Sequence, residues 1–180
     1  ITFICHGATI YSEEGRISEA ENYPPLSELG VEEMEALTKY LKSRAIKNDV
    51  IYTSPAVRTR QSAMMISKLF KKDYVVVDDL TSRRLGQWNG MTVGQILEKY
   101  PDGIQDLLLH PNKNADSVVE ASDEFVARIK AVIDRLVEEN VGNRIIIVTY
   151  PEVIQAAICG ALEIPADKLS KIFIRTGSAT

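Results

Sequence analysis

Short apolar runs recur along the chain at residues 1–5, 49–52, 74–77, 144–148 and 171–174, each rich in Ile, Val or Phe. Several are continuous rather than alternating, the pattern of strands covered on both faces. Between them the apolar positions change to helical spacing. Val31, Met34, Leu37 and Leu41 fall on one helix face, and Val118, Phe125, Val126, Ile129, Val132, Ile133 and Leu136 form a longer stripe. Asn140 and Gly142 supply the stop signal for that second helix. Ser54-Pro55 predicts a helix start, with Ser as N-cap and Pro in the first turn, and Pro151 follows a strand in the same way. The polar stretch 110–117 reads as a loop. Strands alternating with helices predict an α/β fold, a three-layer αβα sandwich with a central, mostly parallel sheet. With no repeat, low-complexity tract or linker, residues 1–180 are expected to form a single domain.

Composition narrows the function classes. A chain of 180 residues can bury a large core without disulfides or metals. With 45% apolar and 26% charged residues, it falls in the soluble globular class. The net charge is −4 with acids and bases well mixed, which argues against nucleic acid or an anionic membrane as the main partner. No apolar run approaches a membrane span and no signal peptide is visible, so the cytoplasm is the expected setting. Cys5 and Cys159 lie in apolar surroundings and carry neither metal-ligand spacing nor a disulfide framework. His6 and His110 are the two histidines, with no acidic cluster at regular spacing, so neither a metal nor another cofactor is expected.

In open α/β sheets ligands gather at the carboxyl ends of the strands. Three segments occupy such ends: Cys5-His6-Gly7, Thr53-Ser54-Pro55 and Thr149-Tyr150-Pro151. His6 directly follows an apolar run, where a histidine can act as nucleophile, base or ligand or serve as a hydrogen-bonded structural residue. Gly7 beside it lets a ligand approach the backbone. Arg58 falls in the first turn of the helix after Pro55, where a forked guanidinium adds to the anion preference of a helix N-terminus. Arg60, two positions on, faces elsewhere.

These residues belong to a larger set. Phe3-Ile4-Cys5-His6-Gly7-Ala8-Thr9 resembles the Arg-His-Gly-x-Thr opening of the histidine phosphatase superfamily, whose members are phosphoglycerate-mutase-like. Gly15-Arg16 and Pro25-Leu26-Ser27-Glu28-Leu29-Gly30 resemble the segment that follows it. Ser54-Pro55-Ala56-Val57-Arg58-Thr59-Arg60-Gln61-Ser62-Ala63 resembles the second arginine motif, and Leu85-Gly86-Gln87-Trp88-Asn89-Gly90 the Phe-Gly-x-Trp-Glu-Gly segment. Residues 145–154 resemble the strand and helix start that carry Ser-His-Gly, and Gly177-Ser178 fits the closing strand. Each motif is weak alone; their order and spacing over nearly the whole chain make the resemblance specific.

The resemblance implies that a histidine attacks a phosphoryl group and becomes phosphohistidine. Two arginines and a second histidine hold the oxygens, and a carboxylic acid protonates the leaving group. Position by position, His6 matches the nucleophile and Arg58 the second arginine. The first arginine is replaced by Cys5, the acid four before Gly86 by Ser82, and the second histidine by Tyr150, followed by Pro151. Ser12 stands for an asparagine that often lines the pocket, and of the Gly-Gly-Glu-Ser turn Val118-Val119-Glu120-Ala121 keeps only Glu120. Cys5 is no alternative nucleophile of the Cys-x5-Arg kind, since position 11 is Tyr11.

Magnitudes set the expectation. A charge-assisted hydrogen bond contributes about 1.5–3 kcal/mol, and loss of a general acid costs roughly 10²–10⁴ in rate. Tyr150, with an ordinary pKa of about 10, brings no positive charge at neutral pH. Arg83 and Arg84 are candidates to restore positive charge or are solvated loop charges, and Glu120 is a candidate substitute acid. The expectation is a catalytically impaired or inactive member, a pseudoenzyme that binds a phosphorylated small molecule or phosphoprotein. The alternatives are a phosphatase active on a specialised ester through phosphohistidine at His6, and a scaffold subunit with no ligand.

Overall fold

The computed structural model describes residues 1–17, 24–101 and 120–180. The loop expected at 110–117, and Val118 and Val119, lie outside the described residues. Among the described residues four strands form one parallel sheet: β1 (Thr2–Cys5), β2 (Val50–Thr53), β3 (Tyr74–Val76) and β4 (Ile145–Thr149), in the order β1-β4-β2-β3. Register pairs Ile4 with Val148 and Ile51 with Ile146, so β4 is central and every one of its residues is buried. That accounts for its unbroken apolar run, since a strand covered on both faces has no solvent side to mark with polar residues.

The alternation along the strands sorts the core into two halves. Ile4, Ile51, Ile146 and Val148 pack on one face against Met34, Leu37 and Leu41 of α2 (Glu28–Ser43) and Ala63 and Ile66 of α3 (Val57–Phe70). Ile145 and Ile147 pack on the other against Phe125, Ile129 and Ile133 of α5 (Ser122–Glu138) and Val153, Ala156 and Ala157 of α6 (Pro151–Leu162). Helices thus cover both faces, as a three-layer sandwich requires. Burying each such Ile, Val or Phe side chain contributes about 1.5–3 kcal/mol. The two remaining helices among the described residues are short: α1 (Ile10–Glu13) and α4 (Val93–Lys99), each started by a capping box, Thr9 with Ser12 and Thr92 with Gln95. No described helix is long and apolar enough to cross a membrane.

Three local expectations need correction. Val31 is 40% exposed; the buried stripe of α2 runs through Gly30, Met34, Leu37 and Leu41 instead. Ser54 does not cap α3, whose N-cap is Ala56. The Ser54 hydroxyl instead meets the Thr149 hydroxyl at 2.7 Å, tying the ends of β2 and β4 together. Residues 171–174 are not a strand. They leave a 3-10 turn (Ala166–Lys171), and the Gln155 side-chain amide donates to the Ile172 carbonyl at 2.6 Å. The partner on the free edge of β1 is antiparallel and lies further on: Phe3 N–H donates to Thr180 at 2.8 Å, and Cys5 N–H to Ser178 at 2.9 Å.

Candidate active site

The carboxyl ends of β1 and β4 are neighbours in the sheet but lie far apart in the chain, and the crevice between them collects the candidate residues. His6 prolongs the β1–β4 ladder: its N–H donates to Thr149 at 3.1 Å, and its carbonyl accepts from Gly177 N–H at 2.9 Å. Gly7 is required by helix α2. A Cβ there would sit 2.2 Å from the Gly30 carbonyl oxygen, so the backbone that Gly7 admits is that of α2 rather than a ligand's approach. Gly7 N–H donates to the Ser62 hydroxyl at 3.2 Å, which links the loop to α3.

The His6 ring is buried, and its Nδ1 lies 2.7 Å from the Gly7 carbonyl oxygen. A carbonyl only accepts, so in the neutral ring Nδ1 carries the hydrogen and Nε2 carries the lone pair. Burial, and then the charge of Arg58, lower the ring's pKa to about 4 against the opposing pull of the Gly7 carbonyl. At neutral pH the ring is therefore uncharged, the state a nucleophile requires.

Arg58 is the second residue of α3 and is 2% exposed. Its guanidinium carbon lies 4.7 Å from the centroid of the Tyr150 ring, a cation–π contact. Tyr150 is equally buried, caps the N-terminus of α6 and meets the His6 ring edge-on, with centroids 6.0 Å apart at 80°. The three side chains therefore form one packed group at the wall of a cavity of about 340 Å³. Arg16, Arg83 and Glu152 line the same cavity, together with Thr9 and Ser12. The Ser12 hydroxyl is engaged in the cap of α1, accepting from Thr9 N–H and donating to the Thr9 carbonyl, both at 2.8 Å.

The structure separates the neighbours that sequence could not. Arg83 turns inward: its Nε donates to the Glu120 carbonyl at 2.7 Å, and its buried Nη2 has no hydrogen-bond partner among the described residues. The Arg84 side chain is 64% exposed, 3.6 Å from the Glu120 carboxylate. Glu120 itself is not a spare acid. Burial acts to raise its pKa, but Arg128 Nε and Nη2, at 2.9 and 3.0 Å, and the Arg84 N–H outweigh it and hold the group ionised. Ser82 is buried but does not line the cavity, and its carbonyl accepts from Arg128 at 3.3 Å. Of the positions that the resemblance places at the site, His6, Arg58 and Tyr150 line one cavity, and Ser82 is not among its lining residues. Cys5 has no exposed surface, and burial pushes its thiol pKa up, leaving it neutral and inside the sheet rather than in the cavity. Among the described residues no group of three or more His, Cys, Asp or Glu could hold a metal ion.

Sequence reasoning missed Glu152. It is the second residue of α6, immediately after Tyr150-Pro151, and its position at the carboxyl edge of the sheet was readable. An acidic residue in a first helical turn is also the ordinary complement of a helix dipole, so the sequence alone carries no signal that sets Glu152 apart.

Comparison with known proteins agrees with this geometry. A family model described as histidine phosphatase superfamily, branch 1, matches residues 1–180. Phosphoserine phosphatase 1 of Hydrogenobacter thermophilus is 26% identical over 145 residues, covering 81% of this chain and 68% of that protein. A bifunctional protein of Mycobacterium tuberculosis is 27% identical over 177 residues, covering 96% of this chain and 47% of its own length, so the chain spans about half of that relative. A mycobacterial glucosyl-3-phosphoglycerate phosphatase structure superimposes with a TM-score of 0.86 at 22% identity, over 99% of this chain and 90% of the other. The order of motifs, the parallel sheet and the whole-chain family match lead to one assignment: the chain belongs to the histidine phosphatase superfamily, branch 1.

Proposed function

We propose that the protein transfers phosphoryl groups through His6 on a specialised small phosphate monoester, with little turnover on generic esters. The observation that carries this reading is the His6 Nδ1 contact with Gly7, which leaves an uncharged ring with its Nε2 lone pair available, in the wall of a cavity lined by Arg16, Arg58 and Arg83. Arg58 and Arg83 supply positive charge for the phosphoryl oxygens, Arg83 through an Nη2 that has no hydrogen-bond partner among the described residues. The position of the second histidine holds the uncharged Tyr150, and Pro151 after it has no N–H to offer an oxyanion. Both changes weaken the grip on a generic phosphate and shift dependence to the rest of the substrate. A small phosphate monoester is supported by the name of the Hydrogenobacter relative, a phosphoserine phosphatase. A purely structural role is less well supported, because the charged side chains of Arg16, Arg58, Arg83 and Glu152 line the cavity beside His6.

The test is exposure of the purified protein to a reactive phosphoryl donor such as acetyl phosphate, followed by mass spectrometry under alkaline conditions, which preserve phosphohistidine. Phosphate on His6, lost in His6→Ala and strongly reduced in Arg58→Ala, is the expected result. A folded protein that neither acquires phosphate at His6 nor binds inorganic phosphate refutes the reading. Rapid turnover of generic esters refutes its second half.

A further inference from the structure

We propose that Glu152 is the proton donor to the leaving oxygen, the role for which the position four before Gly86 offers only Ser82. The inference rests on the phosphoryl-transfer reading above. Glu152 lines the cavity with His6, Arg58 and Arg83, whereas Ser82 does not reach it and Glu120 is held ionised by Arg128. It stands on the first turn of a helix whose start is fixed by Tyr150 at the N-cap and Pro151 after it, so its backbone is well anchored. Among the described carboxylates that line this cavity, it is the one present.

The charges around it come from several elements. Arg58 on α3 and Arg83 in the loop after β3 act on it through their positive charge, while the Cys5 thiol at the end of β1 is uncharged. Burial raises the carboxyl's pKa above the ordinary value, outweighing its own N–H and the two guanidiniums, which pull it down. A phosphate dianion entering beside it adds negative charge and raises it further, because like charges disfavour ionisation. Substrate binding thus loads the acid with its proton. Transfer then forms the bond from His6 Nε2 to phosphorus and breaks the bond from phosphorus to the leaving oxygen, which takes the Glu152 proton. In the second half, water attacks phosphorus, the carboxylate takes the water's proton, and the N–P bond breaks to give inorganic phosphate and free His6.

A general acid matters in proportion to the basicity of the leaving group, and this separates the proposal from a structural role. The experiment compares an alkyl phosphate, phosphoserine, with p-nitrophenyl phosphate in single-turnover formation of phosphohistidine. Nitrophenolate departs without a proton. Glu152→Gln should lose about 10²–10⁴-fold with phosphoserine and stay within a few-fold with p-nitrophenyl phosphate, and Glu152→Asp should recover part of the loss. Equal loss on both donors, or loss on neither, overturns the proposal. Should Glu152→Gln fold poorly, the unsubstituted protein still decides the matter. Its phosphoserine rate relative to its p-nitrophenyl phosphate rate should fall as pH rises, and a flat ratio overturns the proposal. If the unsubstituted protein takes phosphate at His6 neither from these donors nor from acetyl phosphate, the phosphoryl-transfer reading itself fails, and the Glu152 role with it.

Discussion

The 2.7 Å contact between His6 Nδ1 and the Gly7 carbonyl decides which ring nitrogen carries the hydrogen, and burial keeps the ring neutral. Both have consequences in acid. An unfolded histidine has a pKa of about 6.5, and this one protonates at about 4 when folded. The unfolded chain therefore binds the proton first. The stability that His6 contributes is fully present above pH ~6.5 and is lost as pH falls toward the folded value. The loss is on the order of 3 kcal/mol, from about 1.36 kcal/mol per pKa unit. Denaturant titrations at a series of pH values should show this slope, and His6→Asn should flatten it. Gly7 gives a second test at this scale. Gly7→Ala would place a Cβ 2.2 Å from the Gly30 carbonyl oxygen, backbone that cannot swing away. Such overpacking costs about 1–3 kcal/mol, and moving the loop disturbs His6, so phosphorylation should fall along with the melting temperature.

At the scale of elements, the end of β3, the start of α5 and the segment carrying Arg83 and Arg84 are joined by Glu120 and Arg128. Arg128 reaches the Glu120 carboxylate and the carbonyls of Asp79 and Ser82, while Glu120 N–H donates to Arg84 at 2.9 Å. The Glu120 side chain is 1% exposed, so removing its partner strands a buried charge. Arg128→Met should cost about 3–5 kcal/mol and release Arg83, whose Nε is held by the Glu120 carbonyl. Because the folded pKa of Glu120 lies below the ordinary value, the stability this group contributes is present above the unfolded carboxyl range of about 4.3 and is lost as pH falls below it. That window lies below most of the His6 window, so the two variants are distinguishable in one pH series. The Arg128→Met deficit should shrink in acid, where Glu120 is protonated and needs no partner.

For the whole molecule, ligand binding and folding are linked through the edge of the sheet where β1, β4, α3 and α6 end or begin. Any anion that the folded cavity binds and the unfolded chain does not raises stability by mass action. Inorganic phosphate at about 100 times its dissociation constant should add about 2.7 kcal/mol, or roughly 5–11 °C in melting temperature for a chain of this size. The double variant Arg58→Met, Arg83→Met should abolish that shift, and Arg84→Met should leave it intact, since Arg84 stands outside the cavity. A shift of equal size in all three proteins would place the anion elsewhere.

The continuous apolar run of β4, the helical stripes of α2 and α5, and the ordered motifs around His6 and Arg58 were enough to give the layered α/β fold and the location of the crevice. Those features are local: periodicity records which faces are buried, and a motif records which residues the backbone brings to a strand end. The chemistry inside the crevice was not local. Arg83 and Arg84 are adjacent and alike in sequence, and only the hydrogen bonds that Glu120 makes with the Arg84 backbone and the Arg83 Nε separate the inward side chain from the outward one. Glu120 matched a family position as an acid, yet Arg128, eight residues along α5, holds it ionised. Glu152 carries no distinguishing signal in the sequence, and the fold sets it in the same cavity as His6, Arg58 and Arg83. In each case side-chain direction and protonation depend on partners brought together by folding, whose charges and burial act through space rather than along the chain.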